Sequence, residues 1–215
     1  MNYTTATRHA EKFYALLVPV CERIEVVGSV KRGDKKSREE GVHDLEFLLI
    51  PKGGYPVPQF GDKVIYKTHL DKLLAELEQD SILKTARKKA DGDRYKKREI
   101  VGADELNGFN LEMFIVTPAT WGIQNLIRTG NSWFSHRCVT NKNSTAFDRE
   151  TGLKMPGFLP NDLKYYRGKD LASGESCIKR GETIIPLLEE EHVFDLIFGK
   201  WIAPENRRAY GLEQK

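Results

Sequence analysis

Apolar residues recur at Ala10, Phe13, Tyr14 and Leu17, the spacing of one helix face, so residues 5–17 are predicted to form an amphipathic helix that stops near Pro19. The period then changes. "RIEVVGS" reads as a short strand ending in a Gly-Ser turn, and "HDLEFLLIP" as a second strand closed by Pro51. Gly and Pro mark "KGGYPVPQFGDK", residues 52–63, as a loop. Helical spacing returns with Leu70, Leu73, Leu74 and Leu77. "KTARKKADGDRYKKREI" carries eight Lys/Arg around an Asp-Gly turn and reads as a basic β-hairpin leading to another strand, "GFNLEMFIVTP". A helix is predicted from Pro118 to Arg128, and "TGNSWFSHRCV" opens a further one with Asn131 or Ser132 as its cap. Residues 145–185 are turn-rich, "PLLEEEHVFDLIFGKW" holds a short helix ended at Gly199, and "APENRR" reads as an exposed tail. Strands and helices alternate irregularly, which places the chain in the α+β or mixed α/β class, with a seam near residues 118–130.

Composition sets bounds on this picture. With 215 residues, 40% of them hydrophobic and 30% charged, the chain can bury a core as one domain or two small ones. A formal net charge of +3 is too small to announce a nucleic-acid partner by itself. Cys21, Cys138 and Cys177 are odd in number, far apart and lack a CxxC pair, which argues against a disulfide framework or a zinc site and suits a reducing, cytoplasmic setting. No apolar run approaches membrane-spanning length.

The chemistry starts at the head of the second strand. Side chains at i and i+2 of a strand share a face, so Asp44 and Glu46 form a carboxylate pair before the apolar run Phe47-Leu48-Leu49-Ile50. Glu112 stands the same way in "NLEMFIV". If the two strands pair, three carboxylates converge on a site suited to Mg²⁺, which prefers oxygen ligands and keeps positions for substrate phosphates. The turn at Gly28 and Ser29 supplies backbone N–H groups for phosphate, and Arg32 a guanidinium fork. The basic run reads either as a solvated hairpin or as a phosphate-backbone contact through Lys88, Lys89, Arg94, Lys96 and Lys97. His43 reads as exposed and Trp121 as core, while Trp133 is open to stacking on a base.

"GSVKRG…HDLEFLLIP" resembles the nucleotidyltransferase superfamily signature, a Gly-Ser turn followed by two acids at the head of a strand. "TGNSWFSHRCV" and "EEEHVFDLIFGKWIAPENR" are similar to the T-G-S turn and closing segment of family X DNA polymerases of the DNA polymerase β type, with matches from Arg8 to Arg207 in order. The resemblance implies a nucleotidyltransferase palm, a mixed β-sheet flanked by helices, over residues 1–118, and a small thumb-like nucleotide-binding subdomain over residues 119–215. It implies that Asp44 and Glu46 ligate two Mg²⁺ ions, replaceable by Mn²⁺, with Glu112 on the catalytic one. Gly28, Ser29, Arg32 and Arg8 would hold the triphosphate, and Thr129, Gly130, Asn131 and Ser135 would shape the sugar site. The family usually has aspartate at the positions of Glu46 and Glu112, and an aromatic pair at Ile127-Arg128. No lyase activity is expected.

The implied function is a DNA-directed DNA polymerase, adding deoxynucleotides to a DNA 3′-hydroxyl by two-metal phosphoryl transfer. Gap filling in DNA repair is its expected setting. Expected partners are gapped or primer-template DNA and deoxynucleoside triphosphates, met by a cytoplasmic monomer without a membrane. Two other classes stay open: a template-independent nucleotidyltransferase on RNA, a protein or a small molecule, and a DNA-binding module whose catalysis has lapsed.

Overall fold

The computed structural model describes residues 1–58, 64–86, 91–101, 108–148, 151–171 and 175–213. The chain divides into two compact units, residues 1–26 with 38–115 and residues 27–37 with 116–215. In chain order, helix α1 (Tyr3–Leu17) and strand β1 (Cys21–Val27) precede two short helices, α2 (Gly28–Arg32) and α3 (Lys35–Glu40). Strands β2 (Asp44–Pro51), β3 (Gly54–Pro58) and β4 (Val64–Thr68) lead to α4 (His69–Gln79). Strands β5 (Leu83–Thr85), β6 (Tyr95–Ile100) and β7 (Asn110–Ile115) follow, then α5 (Trp121–Thr129) and α6 (Ser132–Cys138). The rest is β8 (Thr145–Phe147), β9 (Lys154–Pro156), β10 (Leu163–Tyr166), β11 (Cys177–Arg180), β12 (Thr183–Ile185), α7 (Glu190–Ile197) and α8 (Arg207–Glu213). The class is mixed α+β. No described helix is long and apolar enough to cross a membrane.

The first unit is built on a mixed five-stranded sheet in the order β1-β2-β7-β6-β5. β2 and β7 run parallel, with Glu46 opposite Glu112, while β6 is antiparallel to both β7 and β5. The basic hairpin is therefore β5–β6, with the Gly92 N–H on the Tyr95 carbonyl (3.0 Å) closing its turn. α1 starts at an Asn2 cap, whose side chain accepts the Thr5 N–H at 2.8 Å, and buries Ala6, Ala10, Phe13 and Leu17. Tyr14, predicted on that stripe, is 39% exposed. α4 opens on a capping box between Thr68 and Asp71 and buries Leu70, Leu74 and Leu77.

One expectation fails here. Residues Gly54–Pro58 form a strand, antiparallel to β4, where Gly and Pro content predicted a loop. Pro56 and Pro58 are two residues apart, so their missing N–H groups share one edge of a two-stranded ribbon, a setting in which strands tolerate proline.

The second unit packs α5, α6 and α7 around Phe134, Phe194, Ile123 and Leu126, with Phe158 and Ile178 completing the core. Asn131 is the α6 cap, its side chain accepting the Phe134 N–H at 2.8 Å. β10, β11 and β12 form a small antiparallel sheet, and strands this short leave no period in the turn-rich segment. Gly199 ends α7 at φ +65, a left-handed value that lets its N–H reach the Phe194 carbonyl at 3.0 Å. "APENRR" is not an exposed tail: it enters α8, and Arg207 is fully buried. Its guanidinium lies over Phe194 (4.9 Å) and Trp201 (5.2 Å) and donates to the buried Glu190 at 2.7 Å, so an arginine that composition assigns to solvent is neutralised inside.

Candidate active site

In the first unit the alternation of β2 decides which side chains meet. Leu45, Phe47 and Leu49 are fully buried, whereas Asp44 and Glu46 point the other way and stay half-buried. β7 repeats the pattern, with Leu111 and Met113 buried and Glu112 half-buried opposite Glu46. Facing residues on neighbouring strands stand about 5 Å apart, so the parallel register sets three carboxylates on one face of the sheet. The donor set, oxygen only and anionic, fits a hard divalent cation. Among the described residues, no three His, Cys, Asp or Glu side chains are drawn together closely enough to hold a metal ion as they stand.

β6 explains where one of the three is engaged. Lys97 lies opposite Glu112 in the antiparallel register, and its Nζ donates to Glu112 Oε1 at 2.7 Å. Its neighbours Lys96 and Arg98 point to the other face and are buried. There Lys96 pairs with Asp71 of α4 at 2.8 Å and Asp91 at 3.5 Å, while Arg98 pairs with Glu78 of α4 and with Asp91 at 2.9 Å. Burial alone would raise the carboxyls of Asp71 and Asp91, but hydrogen bonds from Lys96, Thr68 and Arg98 outweigh it and hold both below the ordinary aspartate value. Of the five residues predicted to face DNA, Arg94 is exposed, Lys96 and Lys97 are ion-paired within the unit, and Lys88 and Lys89 lie outside the described residues. Arg8 is exposed on α1, and His43 is exposed beside Asp44.

In the second unit the Gly-Ser turn is the first turn of α2. Gly28 sits at φ +69, a conformation that a side chain would strain, and Ser29 is half-buried. Arg32 is engaged internally: its Nε donates to Asp34 at 3.0 Å and its Nη1 to the Thr129 carbonyl at 3.1 Å. Asp34 also accepts from the Ser37 hydroxyl at 2.6 Å, and these partners hold its carboxyl below the usual range against the opposing effect of burial. The Thr129 hydroxyl donates to Asn125 at 3.0 Å within α5, and the Ser135 hydroxyl donates to the Ile127 carbonyl at 3.2 Å, fastening α6 to α5. Gly130 lies between them, where a Cβ would come within 2.8 Å of Ser135 Oγ. Trp121 and Trp133 are both buried, so neither indole is open for stacking on a base. Lys31 joins the set from α2, donating to Asn125 at 2.9 Å and pairing with Glu190 at 3.3 Å.

The chain matches no protein-family model and no curated protein. Its function has to be read from the geometry of these side chains. Sequence reasoning gathered Asp44, Glu46 and Glu112 but missed the partners that hold other candidates: Lys97 on Glu112, and Lys31, Asn125 and Glu190 behind α2. One signal for Lys97 was present. Both "YKKRE" and "NLEMF" alternate with period two, so an antiparallel pairing must bring one lysine of Lys96-Lys97 to the acid's face.

Proposed function

We propose that the chain is a nucleotidyltransferase of the DNA polymerase X type, adding deoxynucleotides to the 3′-hydroxyl of gapped or recessed DNA. The observation that supports it is the side-by-side register of Glu46 and Glu112, with Asp44 two residues ahead on the same face. In this reading Asp44 and Glu46 hold the cations, and Glu112 orients the primer hydroxyl. Bound there, two Mg²⁺ ions supply the charge and the alignment of attacking and leaving oxygens that in-line phosphoryl transfer requires. The second unit, taken by itself, carries candidate phosphate donors, the α2 N–H groups behind Gly28 and Ser29 and the Arg32 guanidinium, which meets Asp34 and the Thr129 carbonyl. A second reading, a DNA-binding module whose catalysis has lapsed, is favoured by the lysine seated on Glu112.

The test is magnesium-dependent incorporation of labelled deoxynucleotides on gapped, recessed and single-stranded DNA. The polymerase reading expects extension on the first two, abolished by Asp44→Ala with DNA binding retained. Binding without incorporation would establish the lapsed module instead, and extension of single strands without a template would point to a template-independent transferase.

A further inference from the structure

We infer that Lys97 is a positioning residue that acts as an internal counter-ion for the carboxylate face, holding Glu112 until a divalent cation displaces it. This rests on the reading of Asp44, Glu46 and Glu112 as a cation site. Glu46 and Glu112 face each other on strands about 5 Å apart, with Asp44 two residues ahead on the same face, and the fold must relieve the repulsion of the facing pair when no metal is bound. The Lys97 ammonium does so at 2.7 Å from Glu112 Oε1, with the two side chains only 27% and 15% exposed. β6 could not have supplied this charge from any other lysine or arginine: its Lys96 and Arg98 lie on the opposite face, tied to Asp71, Glu78 and Asp91. The Lys97 ammonium occupies one lone pair of Glu112 Oε1 and neutralises the charge that the carboxylate would offer a metal ion. Cation binding therefore competes with the Lys97–Glu112 pair, and that pair sets how much of the cation's affinity is realised. The freed ammonium then remains beside the site as a partner for a phosphate.

Direct titration of Mn²⁺, read by electron paramagnetic resonance of the unbound ion with neither nucleotide nor DNA present, tests this. Lys97→Met is expected to bind Mn²⁺ about fivefold more tightly, the lower end of ordinary coupling between two binding events. The same variant should unfold at a lower temperature without metal and gain more from its addition. Lys97→Arg should behave as the unmodified protein. Lys84→Met, which removes the same charge from exposed Lys84 on β5, paired with Glu99, should shift affinity far less. In a Glu112→Gln background Lys97→Met should tighten nothing. If the unmodified protein binds Mn²⁺ and Lys97→Met binds no more tightly, or tightens no more than Lys84→Met, the inference is overturned while the polymerase reading stands. Tightening in a protein that incorporates no nucleotide would sink the polymerase reading alone. Absence of Mn²⁺ binding in every variant would overturn both.

Discussion

In the first unit, Lys96 and Arg98 are buried against three acids, Asp71, Glu78 and Asp91, and each cation touches two of them. In the second unit a single buried acid serves two cations, with Lys31 on one oxygen of Glu190 and Arg207 on the other. The first arrangement is redundant: an acid lost from it leaves each cation with a partner. The second is not. Without Glu190, the fully buried Arg207 keeps, among the described residues, the Ile202 carbonyl and its aromatic faces, and its Nη2 has no hydrogen-bond partner among them. A buried charge deprived of its counter-ion is among the costliest defects a fold can carry, and how costly depends on what remains nearby.

The largest effect should therefore come from Glu190→Ala. Chemical denaturation should show a loss of about 3–5 kcal/mol, the range for breaking a buried pair from one side. A loss under about 1 kcal/mol would mean that the two networks are equally tolerant. Lys96→Met should cost less, about 1–2 kcal/mol, because Thr68 still caps Asp71 and Arg98 still holds Asp91. The smallest effect is in the pH dependence. The carboxyls of Asp71 and Asp91 are held below 3.8 in the folded state, so their contribution is complete above that value and is lost as the pH falls through the lower folded-state values. Lys96→Met weakens that depression and has less to lose, so the stability gap between it and the parent should narrow between pH 7 and pH 3. A gap that stays constant would show that Lys96 acts through packing and not through charge.

What the sequence made legible was whatever had a period. Asp44, Glu46 and Glu112 could be placed on one face because acids at strand heads stand out against apolar alternation. Their pairing needed the structure, because a parallel register between strands this distant is set by a long crossover and not by a turn. The five residues of α2 are too few for a helical stripe and read as part of a turn. Adjacent lysines 96 and 97 look alike in a basic run, yet one joins α4 and the other the carboxylate face, a distinction that exists only once β6 is in register. Arg207 was hidden by a sound expectation, since a charged side chain near a chain end is usually solvated, and only a distant acid brings it inside.

The facing of Glu46 and Glu112 has a consequence for how this chain can change over generations. β2 holds Leu45, Phe47 and Leu49 on one side and Asp44, Glu46 and the buried Leu48 on the other, so a one-residue slip of the strand against β7 would turn the acids toward the core. Such a slip would put carboxylates against the core and cost the fold itself. Single substitutions of the acids leave the strand in register and disturb local contacts alone, among them the Lys97–Glu112 pair. The carboxylate face is thus open to drift by replacement and closed to drift in register.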